Sequence, residues 1–267
     1  MEFMINWLLY AGSGALAGIL AGLLGVGGGV VIVPALTFVF TAQHLPAEHI
    51  MHLALGTSLA TIIFTSISSV RAHHQRGGVH WDIVGHITVG ILLGTFGGSW
   101  VAAQLSSAFL KGFFAAFLLY VSAQILLDIK PKSARQMPGL AGTTGVGGVI
   151  GVVSALVGIG GGSLSVPFML WCNVPVREAI GTSAAIGFPI AIAGALGYLV
   201  NGMGASGLPS QSLGYIYLPA LLGVALFSAL TAPLGAKLAH TLPVALVKKI
   251  FAVLLLGTAL KMIWELF

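Results

Sequence analysis

Residues 3 to 40 contain no charged side chain, and neither do residues 139 to 172. A straight helix over the first block would be ~57 Å long, against a hydrocarbon core of ~30 Å. Tilt does not absorb that excess, so each block has to break and turn. The residues that do so are visible: "LLGVGGG" at 23–29 and "LVGIGGG" at 156–162 concentrate glycine, the poorest helix former short of proline. Pro34 and Pro167 follow and limit the second arm of each turn.

The bilayer setting itself rests on composition. The 267 residues are 57% hydrophobic and only 6% charged, where soluble domains carry about 25% charged residues. The fold class is therefore all-α and polytopic, because a β-barrel would show short alternating segments instead of long apolar runs. Apolar windows of membrane-spanning length lie at 48–70, 80–103 and 109–129, and again at 178–200, 213–236 and 244–266. One long block precedes each set of three.

A formal net charge of +5 is no sign of nucleic-acid binding here, since the basic residues sit in loops or near span ends. The single Cys172 excludes an internal disulfide, and no Cys/His spacing suggests a metal site. No cofactor, metal or catalytic group is expected. No Lys or Arg precedes Arg71, so the first apolar segment reads as retained and not as a cleaved signal.

The two halves are copies. A shift of 133 pairs Gly12, Gly14, Gly18, Gly25, Gly27, Gly28, Gly29, Val33 and Pro34 with identical residues from Gly145 to Pro167. "ALGTSLA" at 54–60 matches "AIGTSAA" at 179–185, and "LKGFFAAFLL" at 110–119 resembles "VKKIFAVLLL" at 247–256. Correspondence over three segments indicates an internal duplication. It divides the chain into a first repeat at 1–130, a connector at 131–138 and a second repeat at 139–267, forming one transmembrane domain.

Positive charge sets the orientation. If each long block returns to its starting side, Arg71, Arg76, Lys130, Lys132, Arg135, Arg177, Lys237, Lys248 and Lys249 share one face, leaving Lys111 and Lys261 on the other. If each block crosses once, the split is nearly even. The first arrangement makes the repeats inverted and the 71–80 loop and connector cytoplasmic. Inverted repeats with paired broken segments are the architecture of secondary transporters, with substrate near the midplane where the breaks meet.

The candidate site follows from that placement. A broken helix end offers free N–H groups and a positive dipole end, which bind anions without a formal charge. Gly27, Gly28, Gly29, Gly160, Gly161, Gly162 and Ser163 are the candidate amide donors. Thr57, Ser58, Thr182 and Ser183, duplicated just after the breaks, are the candidate hydroxyls, although membrane Ser and Thr often bond only their own helix. His52 and His86 are candidate proton carriers near span ends. Gly14, Gly18 and Gly22, mirrored by Gly147, Gly151 and Ala155, read as close helix packing. Trp81 and Asp82 read as an interface anchor.

Two enzyme look-alikes fail on context. "GSGALA" at 12–17 lacks the strand a dinucleotide fingerprint needs. "GASG" at 204–207, with His240 as a conceivable base, resembles the motif of rhomboid intramembrane proteases but lies in a polar loop before Pro209.

The "GLLGVGGGVVIVPAL" segment, its copy "ALVGIGGGSLSVPFML" and the two GTS segments resemble the sulfite exporter TauE/SafE family over nearly the whole chain. The resemblance implies a multi-pass transporter of the cytoplasmic (inner) membrane that exports small sulfur-containing anions such as sulfite, thiosulfate or organosulfonates, with proton coupling. The partners expected are a small anion and the lipid bilayer; monomer and homodimer stay open. An anion channel of the same fold is the alternative, and an intramembrane serine hydrolase a remoter one.

Overall fold

The structure, a computed structural model, describes residues 2–24, 28–128, 135–238 and 244–266. Apolar segments without water must satisfy their backbone internally, and nearly all of these are helical. The first block forms α1 (Glu2–Leu24) and α2 (Gly29–Ala42), followed by α3 (Ile50–His74), α4 (Trp81–Gln104) and α5 (Ser107–Leu126). The second forms α6 (Leu140–Val157) and α7 (Gly162–Trp171), followed by α8 (Val176–Gly202), α9 (Leu218–Leu238) and α10 (Val244–Trp264). Both long blocks do break at their glycines. Seven helices among the described residues are long and apolar enough to cross a membrane.

α3 and α8 form the centre, with 78% and 61% of their apolar windows buried, and they pack on each other. The surrounding contacts are reciprocal between the halves. α1 packs on α9 as α6 packs on α4, and α3 meets α9 as α8 meets α4. Small residues make the approach possible: a Cβ on Gly14 would sit 2.6 Å from the Val224 carbonyl, and one on Gly151 2.7 Å from that of Ile91. The perimeter is hydrocarbon. Val89, Leu93, Phe96 and Trp100 on α4, and Leu222, Leu226, Leu230 and Leu234 on α9, form exposed stripes at helical spacing that suit a lipid face.

One expected span starts late. The window at 213–236 begins in a short antiparallel hairpin, β1 (Ser212–Leu213) and β2 (Ile216–Tyr217), and the helix starts only at Leu218. Gly214 turns the hairpin at φ +55°, and Tyr215 and Ile216 are buried. A loop tucked into the protein has the hydropathy of a span, so composition does not separate the two.

Candidate functional site: two broken-helix tips

The two breaks have the same local geometry. Gly28 and Gly161, 133 residues apart, both cap the helix that follows at φ +73°, a left-handed conformation that glycine adopts without strain. The Gly28 carbonyl accepts from the N–H of Val31 and of Ile32, each at 3.0 Å. The Gly161 carbonyl accepts from Leu164 at 3.0 Å and Ser165 at 2.8 Å. Neither α2 nor α7 has a side-chain cap, so the first N–H groups of each helix face the break without an internal acceptor. Gly27 lies outside the described residues.

The tips meet. A Cβ on Gly29 would strike the Gly158 carbonyl and come within 2.9 Å of Ile159 Cα, so the α2 start and the end of α6 touch backbone to backbone. Ser58 Oγ of α3 closes the junction by donating to the Gly158 carbonyl at 2.7 Å. Ser183 Oγ of α8 lies 2.8 Å from Ser165 Oγ, which itself donates to the Gly161 carbonyl at 3.0 Å. Ser163 Oγ and, one helix earlier, Ser154 Oγ are buried with no hydrogen-bond partner. Ser154 Oγ lies 3.4 Å from the position of a Cβ on Gly161, beside the α7 start.

Thr57 and Thr182 stand elsewhere, one at each end of the central helices, as acceptors across the halves. Thr57 Oγ1 takes the N–H of Tyr217, just before α9, at 2.9 Å. Thr182 Oγ1 takes the N–H of His80, just before α4, at 2.9 Å. The neighbouring glycines repeat the exchange: Gly56 abuts the Tyr215 carbonyl and Gly181 that of Gly78. At the Thr182 end, His80 Nε2 is also bonded to the Glu178 carboxylate. Each hydroxyl thus holds the loop that enters a helix of the other half.

His52 is buried, stacked on Tyr215 at 4.9 Å, with Nε2 3.1 Å from the Ala102 carbonyl and Nδ1 unpartnered. Burial first, and then the Glu48 carboxylate, push the Tyr215 phenol above its ordinary range, which keeps it neutral. His86 is on an exposed face of α4, where its carbonyl accepts from Thr144 Oγ1 at 3.0 Å. Ser206 is exposed in its loop, its carbonyl 2.9 Å from His49 Nε2; His240 lies outside the described residues.

Sequence reasoning passed over Thr65, Ser66 and Ser69. With Ser183 and Gly160 they line a cavity of about 20 Å³ against the second tip. The signal was there: α3 carries hydroxyls at 57, 58, 61, 65, 66, 68 and 69, a polar run in the most enclosed helix. Ser154 had a weaker one, a lone hydroxyl opposite Ala21 in the first repeat.

Comparison with known proteins agrees with this architecture. Residues 10–262 match the family model described as Sulfite exporter TauE/SafE. A "Probable membrane transporter protein" of Haemophilus influenzae is 39% identical over 93% of this chain and 95% of its own length. One of Methanocaldococcus jannaschii is 30% identical over 89% of this chain and 88% of its own, and one of Bacillus subtilis 32% identical over 70% and 76%. No solved structure matches the chain. With its paired glycine breaks and its match across almost all of its length, this chain is a multi-pass membrane transporter, not an enzyme, and belongs to the sulfite exporter TauE/SafE family.

Proposed function

We propose that the protein exports small sulfur-containing anions, such as sulfite, thiosulfate or organosulfonates, across the cytoplasmic membrane by alternating access. The observation that carries this is the backbone contact between the two breaks, the α2 start against Gly158 and Ile159, with an uncapped helix start turned by a left-handed glycine at each break. The anion is held by the amides at Gly27 to Gly29 and Gly160 to Gly162, with the unpartnered hydroxyls of Ser154 and Ser163 as further donors. Amides and hydroxyls hold an anion more gently than a buried Arg, whose uncompensated charge costs several kcal/mol. Gentle binding suits release.

The repeats at 1–130 and 139–267 are inverted and rock against each other about the tips. Thr57 and Thr182 act as latches on the two entry loops instead of as ligands, and one latch opens as the other closes. His52, buried and with one ring nitrogen free, carries the coupling proton; His86 serves at the lipid-facing surface.

The test is a thermal-shift screen of purified protein with sulfite, thiosulfate, sulfoacetate and short carboxylates. At least one sulfur anion is expected to raise the melting temperature saturably. No response to any of them contradicts the substrate class. In proteoliposomes, flux that ignores an imposed pH step contradicts the coupling and favours a channel.

A further inference from the structure

The cavity of about 20 Å³ behind the second tip has room for one water-sized guest and none for a polyatomic anion. What it offers such a guest follows from where each hydroxyl proton goes, since a serine or threonine has one proton and two lone pairs. Ser165 Oγ donates to the Gly161 carbonyl at 3.0 Å. The proton in the 2.8 Å Ser165–Ser183 contact therefore comes from Ser183. Thr65 donates back along its own helix to the carbonyls of Thr61, at 3.3 Å, and Ile62, at 3.2 Å. Gly160 contributes a carbonyl, which accepts by nature. That carbonyl and Ser66 Oγ converge on one spot: a Cβ on Gly187 would lie 3.2 Å from the first and 3.4 Å from the second.

The oxygens of Thr65 and Ser183 thus keep only lone pairs for a guest, the Gly160 carbonyl and Ser66 Oγ converge beside them, and Ala21 and Ala184 complete the wall. Neutral oxygens of this kind suit a small, hard cation, and carbonyls freed by a broken membrane helix coordinate Na⁺ in other transporter folds. The duplication supplies a second, independent observation. A shift of 125 places Ile190, Ala191 and Gly194 opposite Thr65, Ser66 and Ser69, and sets Ile62 opposite Gly187. Among the described residues, the other half keeps a hydroxyl only opposite Ser183, at Ser58, and is otherwise apolar there: a Cβ on Gly194 would meet Leu59 Cδ1 at 2.7 Å, and one on Gly29 would meet Ile62 Cδ1 at 3.1 Å. Packing shared by both repeats therefore does not account for the Thr65 and Ser66 oxygens.

We propose that this cavity binds Na⁺ through Thr65, Ser66, Ser183 and the Gly160 carbonyl. The ion ties α3 to the second tip and sits behind the amides that face the anion, so that each raises the affinity of the other. The mutual effect rests on the transporter reading of the tips; Na⁺ binding does not.

The test is therefore made without any transported anion. Purified protein in detergent is melted in NaCl, KCl and choline chloride at equal ionic strength. Na⁺ is expected to raise Tm saturably by about 3 °C or more over choline, and K⁺ to leave it unchanged. Ser66→Ala, which removes a ligand, and Gly187→Ala, which sets a methyl between the two oxygens, should melt cooperatively in choline but lose the Na⁺ increment. Ser66→Thr, which keeps the hydroxyl, should retain it. Equal Tm in all three salts, or a rise that K⁺ matches, overturns the proposal and leaves a cavity for water. A Na⁺ increment that survives in both Ser66→Ala and Gly187→Ala also overturns it, because the site then lies elsewhere.

Discussion

The Gly-Thr-Ser pairs at 56–58 and 181–183 separate chemical type from chemical role. That hydroxyls cluster after each break was legible in the sequence. Which atom each one serves was not, because the partners are remote: Ser58 reaches Gly158 and Thr182 reaches His80. Ser58→Ala leaves the Gly158 carbonyl without that donor and should cost about 1–3 kcal/mol of stability, read as a lowered Tm or denaturation midpoint. Thr182→Val removes the acceptor for the His80 N–H and should cost about 1 kcal/mol, with Thr182→Ser restoring it. If Thr182 acts as a latch, Thr182→Val should also raise the labelling rate of a cysteine placed in the 75–80 loop. An unchanged rate would assign the threonine to stability alone. At Gly161 the constraint is sharper. A valine would hold φ +73° at a strain of about 1–3 kcal/mol, and its Cβ would sit 2.5 Å from Ile190 Cδ1.

The long apolar blocks announced helix, break, helix, because no other conformation satisfies so much backbone in lipid. Their boundaries fell close to the expected ones. The helix α9 began later than expected since a buried hairpin carries the hydropathy of a span. The glycine ladder was also legible as packing, but its partner was not: spacing on one helix cannot say which helix it meets. α1 meets α9, and α6 meets α4, a pairing that emerges only when the two halves assemble. Within the ladder, glycines differ. A Cβ on Gly12 or Gly145 meets nothing within 4 Å, whereas one on Gly18 strikes Ser228 and Thr231 and one on Gly151 comes 2.7 Å from the Ile91 carbonyl. Gly12→Leu and Gly145→Leu should therefore leave a monodisperse protein by size-exclusion chromatography, while Gly18→Leu and Gly151→Leu should aggregate or fail to accumulate. Equal behaviour of the four variants would contradict this packing.

Every principal contact between the halves has a counterpart with the halves exchanged: α1–α9 with α4–α6, α3–α9 with α4–α8, Thr57–Tyr217 with Thr182–His80. Such reciprocity is what a two-fold relation between the repeats would produce. The proposed inversion, read from the charge count, puts the 71–80 loop and the 201–212 loop on opposite faces. Single cysteines in each loop, on a Cys172→Ser background, should label from opposite sides of oriented vesicles, and labelling from one side would contradict the inversion. What symmetry did not foretell is the chemistry that breaks it: Ser154, Ser163, Thr65 and Ser66 gather at the second tip, and the first repeat has Ala21 and Val30 in place of Ser154 and Ser163. Transport is thus expected to need both tips for geometry and the second for polar recognition. The most direct test is sulfite and thiosulfate flux through proteoliposomes containing equal amounts of inserted wild-type, Gly28→Val or Gly161→Val protein. Flux in the wild type and its loss in both variants is the expected result; wild-type flux through either correctly inserted variant would contradict the assignment of the tips as the transport site.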